Sequence, residues 1–380
     1  MTQRGIVEKL EYWWRHRFVY PVLRLVFHNR RNDSPIDILT VHSILILRYD
    51  RIGDMIVTTP VFKSLKSANP NLRIGVFASK SNAEIIKYNP HVDAVYILSA
   101  NWFQLFTEVR KARKENYDIV LNLIFNRTSS GGILANAAAP KGLKIGQGAE
   151  KYGFYFNRLL NVKEDKQHLV KTHSSFIKES FGIDFPLSES DYEIFIDADT
   201  NARIESFCKI NGLMKRSDHT HDGKPYVVFN LSASNQWTKL SRIQAEGITQ
   251  YIRTKKEYCP VIIYGPEDHE MQEYAEKLMQ DSKILIFPEK GRATLLEIAS
   301  LIGGARCVIT PDTSIIHFAS AMHTPVLAFY SSHKENHEWL PHRVKNRVVM
   351  SSENEPAGSI SLPIMINAID DFIREINKES

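Results

Sequence analysis

Residues 44–60, ILILRYDRIGDMIVTTP, constrain this chain more than any other stretch. Ile44, Leu45, Ile46 and Leu47 form an unbroken apolar run. Such a run suits a strand buried on both faces of a parallel sheet. Arg48, Tyr49, Asp50 and Arg51 turn the chain polar, and Gly53-Asp54 follows. Met55, Ile56, Val57, Val61, Phe62 and Leu65 then recur at helical spacing. The whole reads as strand, short loop and helix. In an open α/β sheet, ligands bind at the mouth of such a unit. Gly53 lets the backbone approach a partner closely, and Asp54 starts the helix facing the crevice. Asp54 is then either a helix cap, since Asp is a favoured N-cap residue, or a catalytic carboxylate.

The same alternation continues along the chain. RIGVFA (73–78), AVYIL (94–98), YDIVLNL (117–123) and KIGQG (144–148) read as strands, with helical spacing over 101–116 and 166–181. A second series begins at Tyr226, with strand candidates at 226–231, 260–265, 283–288, 306–310 and 325–330. Repeated β-α units imply parallel sheets with right-handed crossovers. The expected class is α/β, with two doubly wound domains. The expected boundaries are an arm at 1–42, a first domain at 43–185, a connector at 186–224, a second domain at 225–362 and a terminal helix at 363–380. The length of 380 residues accommodates two domains of ordinary size.

Charge is informative by its location. Residues 1–31 carry seven basic residues and two acidic ones, which accounts for the whole net charge of +5. The remainder is balanced, so the basic excess belongs to the arm and not to the fold. The arm sets Trp13, Trp14, Phe18, Val22, Leu25 and Val26 among arginines. It has no small-residue cleavage site, unlike a secretory signal, and arginines interrupt it too often for a bilayer span. It is either an interfacial membrane segment or a helix packed on the first domain. Cys208, Cys259 and Cys307 are far apart and read as reduced core residues of a cytosolic protein.

Three polar stations follow strands of the second half. Ser232 and Ser234 beside Lys239 suit a phosphate site of hydroxyls, amides and one positive charge. Glu267, at the next strand end, either takes a ribose diol or is a helix-start acid favoured by the dipole. Asp312, Thr313 and Ser314 open a helix whose first amides are available as donors, with His317 one turn on. The plain alternative for these is a capping Asp and a packed His. No Gly-x-Gly-x-x-Gly follows either first strand, which argues against a dehydrogenase. A nucleotide-binding module without chemistry is the remaining rival class.

RYDRIGDMIVTTP and PDTSIIHFASAMHTPVLAFY resemble the two signature stretches of glycosyltransferase family nine, the ADP-heptose:lipopolysaccharide heptosyltransferase family. The resemblance covers about residues 43–375 and leaves out the arm. Both stretches occurring together and in this order make it specific. It implies a GT-B fold, with two Rossmann-like domains facing across a cleft and the terminal helix crossing back to the first domain. It implies Asp54 as the base, Lys239 at the phosphates, Glu267 at the ribose, and Asp312 and His317 on the sugar side. Ser232, Ser234, Thr313 and Ser314 complete the expected donor site. Arg48 and Arg51 are the acceptor-side candidates, because the acceptor of this family lies against the first domain. Two departures stand out. Trp237 precedes Lys239, where the family has Lys followed closely by Trp-Pro, and Ser314 stands where it usually has Gly.

The implied reaction is an inverting transfer of a sugar, foremost heptose from ADP-heptose, onto a lipopolysaccharide or lipooligosaccharide core. Another nucleotide sugar, serving surface polysaccharide synthesis, is the alternative. No Asp-x-Asp metal motif sits at the cleft, so no obligatory cofactor is expected, with Mg²⁺ at most assisting. The expected partners are an ADP-sugar, a lipid-linked oligosaccharide acceptor and an anionic membrane surface met by the arm, with no nucleic acid. The expected location is the cytoplasm or the inner face of the cytoplasmic membrane.

Overall fold

The protein is described from a computed structural model, which covers residues 13–27, 29–125, 128–148, 150–162, 167–184, 186, 190–216, 223–265, 267–278, 284–332 and 336–378. Residues 1–12 of the arm, with Arg4, Glu8, Lys9 and Glu11, lie outside the described residues, as does the 217–222 part of the connector.

The first sheet comprises β1 (Ser43–Leu47), β2 (Arg73–Ser79), β3 (Ala94–Leu98), β4 (Ile119–Asn122), β5 (Leu143–Gln147) and β6 (Arg158–Leu160). All its pairings are parallel, in the order β3-β2-β1-β4-β5-β6. The order reverses direction beside β1, which opens a crevice at the carboxyl ends of β1 and β4. Ile44, Leu45, Ile46 and Leu47 are wholly buried, as a central strand covered on both faces requires. β6 was not legible in the sequence, because three residues are too few to show a period.

The second sheet comprises β7 (Leu213–Met214), β8 (Lys224–Asn230), β9 (Cys259–Ile263), β10 (Leu285–Phe287), β11 (Cys307–Pro311), β12 (Val326–Tyr330) and β13 (Asn346–Met350). Its order is β10-β9-β8-β11-β12-β13, with β7 beside β8 and all pairs parallel. β13 is an edge strand, polar at Asn346 and Arg347, so no apolar run marks it.

The helices are α1 (Tyr20–Val26), α2 (Ile52–Ala68), α3 (Trp102–Lys114), α4 (Thr128–Ala138), α5 (Leu169–Phe181), α6 (Ala198–Ile210), α7 (Arg242–Thr254), α8 (His269–Leu278), α9 (Leu295–Gly304), α10 (Ile315–Ala321) and α11 (Leu362–Lys378). α2 contains Pro60, which cannot bond to the Ile56 carbonyl. The Thr59 hydroxyl donates to that carbonyl at 2.7 Å and repairs the loss. The same hydroxyl accepts from the Glu193 amide at 2.9 Å, tying the connector to this helix.

One expectation, about the terminal helix, is corrected. α11 packs on the second domain instead of crossing back to the first. Met365, Ile369, Phe372, Ile373 and Ile376 enter the core formed by the strands of the second sheet. Tyr251 of α7 and Lys255, just past its end, both bind Asp370, and Tyr258 donates to Asn377 at 2.5 Å. Burying the apolar stripe of α11 against that core removes it from water without leaving its own domain. The connector is tied to both domains. Its helix α6 packs on α9, with Arg203 bonded to Glu297 at 2.9 Å and Ser300 to Asn201 at 2.8 Å.

The arm is partly anchored. A π-helical turn over Arg15–Val19 runs into α1, whose first turn holds Pro21. Tyr20 is buried, 6.1 Å from the Phe154 ring, with its hydroxyl 3.4 Å from Ser129. Trp13 and Trp14 remain 57% and 56% exposed, so they do not pack onto the domain. No helix among the described residues is long and apolar enough to cross a membrane.

Candidate active site

Asp54 occupies the first turn of α2, at the crevice where the two domains meet. Its side chain does not cap the helix: Arg51 is the N-cap residue, and it makes no side-chain cap bond. The capping alternative for Asp54 is therefore not what the structure shows. The residue is buried, and its carboxylate faces a guanidinium. Arg48 Nη1 lies 2.9 Å from Asp50 Oδ2 and 3.5 Å from Asp54 Oδ1. Arg48 Nη2 lies 2.7 Å from His173 Nε2. Arginine only donates, so His173 Nε2 accepts and its ring is neutral with the proton on Nδ1. Burial and the Arg48 charge hold His173 well below its ordinary value, in agreement with that tautomer.

The environment sets Asp54 for proton transfer. Burial is the main influence, opposed by Arg48, reinforced by Asp50, opposed by Arg51 and reinforced by Glu338. The carboxyl is raised from 3.8 to about 6. At neutral pH it is therefore mostly ionised, yet basic enough to take a proton, which suits a general base. Arg48 is nearly fully buried, with its guanidinium committed to two carboxylates and a histidine. Its geometry is that of a residue positioning Asp54. Arg51 is exposed at the helix mouth.

The opposite wall comes from α10. A Cβ built on Gly53 would lie 2.7 Å from His317 Cδ2, so only glycine allows this approach. His317 is buried, held edge-on by Tyr192 at 6.2 Å and by Trp339 at 5.9 Å. Burial, with smaller contributions from His168 and His342, pushes its imidazole down to about 3, so it is neutral. His168 reaches the Leu340 carbonyl at 3.1 Å, and the His342 ring stacks on Tyr192 at 4.7 Å. The domains thus meet through a layer of aromatic rings and imidazoles directly behind Asp54.

The residues expected on the donor side converge at the carboxyl ends of β8, β9 and β11. Asn230 Nδ2 lies 3.0 Å from the Ser232 carbonyl, 3.0 Å from Thr310 Oγ1 and 3.2 Å from Thr313 Oγ1. Ser232 Oγ accepts from the Gly265 amide at 2.9 Å, joining two strand mouths. Thr313 Oγ1 also accepts from the Ile315 amide at 3.2 Å. Ser314 is the N-cap residue of α10, without a side-chain cap bond, and Asp312 is half-buried beside it. Ser234 is exposed on the following loop. Lys239 Nζ is bound to Asp268 at 3.0 Å. Glu267 is 87% exposed, with Arg292 at 3.9 Å. The buried carboxylate at this mouth is Asp268, the neighbour of the residue singled out from the sequence.

Sequence reasoning missed His173, Asp50, Asn230, Asp268 and Tyr192. Asp50 and Asn230 carried a signal, each standing at or just past the end of an apolar strand. His173 and Tyr192 carried none, since only the tertiary fold brings α5 and the connector to this place.

The family model for "Glycosyltransferase family 9 (heptosyltransferase)" matches residues 106–361. The chain belongs to glycosyltransferase family 9. Lipopolysaccharide heptosyltransferase 3 of Escherichia coli is 23% identical over 301 residues, covering 74% of this chain and 81% of that protein. The glycosyl transferase family 9 structure from Veillonella parvula superposes with a TM-score of 0.74 at 18% identity, over 90% of this chain and 99% of the other. The E. coli heptosyltransferase WaaC with ADP gives 0.66 at 18%, over 88% and 98%. These neighbours establish the GT-B arrangement, and family membership establishes glycosyl transfer as the activity. The matched segment begins after Asp54, so the case for that residue rests on its own geometry.

Proposed function

We propose that this family 9 glycosyltransferase moves a heptose from ADP-heptose onto a lipopolysaccharide or lipooligosaccharide core, with inversion at the anomeric carbon. The observation that carries the catalytic reading is Asp54, a buried carboxylate raised to about 6 at the seam between the domains. The donor reading draws on the relatives, several of which are named as heptosyltransferases. It also draws on WaaC, whose structures hold ADP and ADP-2-deoxy-2-fluoro heptose.

In this mechanism the acceptor hydroxyl attacks the anomeric carbon from the face opposite the diphosphate. The new C–O bond forms as the bond to the β-phosphate oxygen breaks, and ADP departs with the electron pair. Asp54 takes the hydroxyl proton, which is worth roughly 10²–10⁴-fold for a general base. Arg48 keeps the carboxylate aimed and favours its ionised form. Lys239 and the backbone at Asp312–Ser314 stabilise the growing diphosphate charge. Lys239 turns its further N–H donors to phosphate as the donor enters, and Glu267 takes the ribose hydroxyls. His317, held neutral, borders the sugar without adding charge. No metal is required, and Mg²⁺ at most assists the leaving group.

The acceptor is lipid-linked and is met at the inner face of the cytoplasmic membrane, where the basic, tryptophan-bearing arm holds the enzyme peripherally. Each basic residue near such a surface contributes about 1 kcal/mol.

A transferase for another nucleotide sugar is the second reading. It is favoured by Ser314, whose hydroxyl and Cβ stand where the family usually has glycine. A donor screen separates the two. ADP-heptose, ADP-glucose and UDP-sugars are offered with a heptose-deficient core acceptor, and product is followed by mass spectrometry. Transfer from ADP-heptose alone is the expected result. Transfer only from another donor would move the assignment to the second reading.

A further inference from the structure

Helix α3 carries an aromatic face that the fold leaves uncovered. Leu105, Val109 and Ala112 turn inward at helical spacing, with Ala112 fully buried. Trp102, Phe103 and Phe106 occupy other positions and are 66%, 64% and 61% exposed. A surface helix ordinarily carries polar residues there, and a contiguous exposed apolar patch marks an interaction surface. Trp102 and Phe103 stack on each other at 3.8 Å between centroids, forming one flat element.

Its place in the fold gives this patch a meaning. α3 begins just after β3 and therefore starts at the carboxyl edge of the first sheet, the same edge at which α2 presents Asp54. α4 packs beside α3. The arm is attached to the same α4, through Tyr20 at Ser129 and through Asn29 Nδ2 donating to Asn136 Oδ1 at 2.8 Å. Tyr49, directly past β1, donates to Ser130 of α4 at 3.2 Å and links this face to the cleft mouth. Two segments far apart in sequence, both in contact with α4, thus expose aromatic residues.

The charge accompanying the rings identifies the partner. Arg110, Lys111, Arg113 and Lys114 are exposed on the last turns of α3, against Glu108, which is paired with Lys111 at 2.6 Å. The arm adds exposed Arg17 and Arg24. Tryptophan and phenylalanine beside a basic surface is the composition of an interfacial lipid-binding element.

We propose that α3 is a second membrane-contact element, which together with the arm lays the acceptor side of the cleft mouth on an anionic lipid bilayer. The proposal extends the membrane-borne acceptor reading given above and places the load on a helix of the catalytic domain. The membrane contact then lies beside the acceptor cleft, so a lipid-anchored sugar chain reaches Asp54 without leaving its leaflet.

The test uses the full chain and a variant carrying Trp102→Ser, Phe103→Ser and Phe106→Ser. Both are sedimented with phosphatidylcholine vesicles containing phosphatidylglycerol, and with pure phosphatidylcholine vesicles. The parent is expected to partition onto the anionic vesicles and to release at high salt. The triple variant is expected to partition about a hundredfold less, the worth of two half-inserted rings. Its melting temperature and its transfer to a delipidated, soluble acceptor are expected to match the parent. A second variant, Arg113→Glu with Lys114→Glu, is expected to weaken binding to anionic vesicles alone, and it serves if the triple variant does not fold. Parent-like partitioning of these variants overturns the proposal, and if an arm deletion still abolishes binding, the arm reading survives without α3. Parent self-association that the triple variant abolishes, with no vesicle binding, overturns it in favour of an interface between copies. Loss of transfer to the soluble acceptor would overturn it by giving α3 a catalytic or folding role.

Discussion

Gly53 of the first domain and His317 of the second approach so closely that a Cβ on Gly53 would stand 2.7 Å from the imidazole. The ring cannot retreat easily, because Tyr192 and Trp339 hold it on other sides. The seam between the domains is therefore closely packed here, beside the carboxylate that follows Gly53. Gly53→Ala should separate α2 from α10 and cost about 1–3 kcal/mol, as overpacking does. Calorimetric melting would read the stability loss, and transfer assays the accompanying fall in kcat. A variant with parental melting and turnover would show that the seam opens freely.

Rate should depend on pH through Asp54. With Asp54 as the proposed base, kcat/KM should rise with pH through about 6, the value to which burial lifts this carboxyl. Asp54→Asn should fold and bind donor but lose roughly 10²–10⁴-fold in turnover. A pH–rate profile for each protein checks both statements.

Arg48 lowers the Asp54 value while Asp50 raises it. Removing the cation should therefore move the acidic limb upward. Arg48→Met also leaves two carboxylates and a histidine without their partner, at a cost of about 3–5 kcal/mol. His173→Phe keeps the cation but leaves one guanidinium donor unmet, costing about 1–3 kcal/mol. The expected order of melting temperatures is parent, His173→Phe, Arg48→Met. An acidic limb that stays in place in Arg48→Met would separate Arg48 from the titration of Asp54.

Donor affinity should depend on Lys239. Its ammonium is bound to Asp268 at 3.0 Å in this structure and keeps further N–H donors for a phosphate. Lys239→Met should weaken ADP binding, and Glu267→Ala should do the same with little change in stability, since Glu267 is 87% exposed. Titration calorimetry with ADP checks both. Unchanged affinity in the two variants would remove both residues from the donor site.

Stability should fall in acid. Burial holds His317 at about 3 and His168 at about 4, and keeps His173 well below 6.5. Below pH 6.5 the unfolded chain takes up protons that these folded rings refuse, so stability is lost as pH falls. Each group contributes about 1.4 kcal/mol per pH unit in that window. Asp54 acts oppositely: between 3.8 and about 6 the folded carboxyl keeps a proton that the unfolded one releases. Three rings outweigh one carboxyl, so melting temperature should drop from neutrality towards pH 4. His317→Gln should shallow that slope.

The arm should be separable up to its anchor. Tyr20 is buried against Phe154, and the Arg30 carbonyl accepts from Asn157 at 2.9 Å. Deleting residues 1–18 should therefore leave a folded protein, whereas deleting 1–31 should destabilise it. Circular dichroism melts distinguish the two. Vesicle sedimentation should decline with the shorter deletion, since Trp13 and Trp14 go with it.

The sequence by itself determined the two parallel sheets and the station of Asp54. An apolar run buried on both faces, followed by Gly-Asp and helical spacing, is a local pattern, and local patterns survive without knowledge of the rest of the chain. It also placed Ser232 and Thr313 at strand ends and His317 one turn into the helix that follows, because the carboxyl edge of a parallel sheet is where such loops must lie. Only the tertiary structure decided what surrounds Asp54. His173 comes from α5 and Tyr192 from the connector, more than a hundred residues along the chain, and no period or motif announces them. The same holds for Asp268, which stands next to Glu267 but is turned inward by its pairing with Lys239. The terminal helix was legible as a helix, but its partner was not. An apolar stripe specifies that a face will be buried, and only the competing surfaces of the folded chain decide against what.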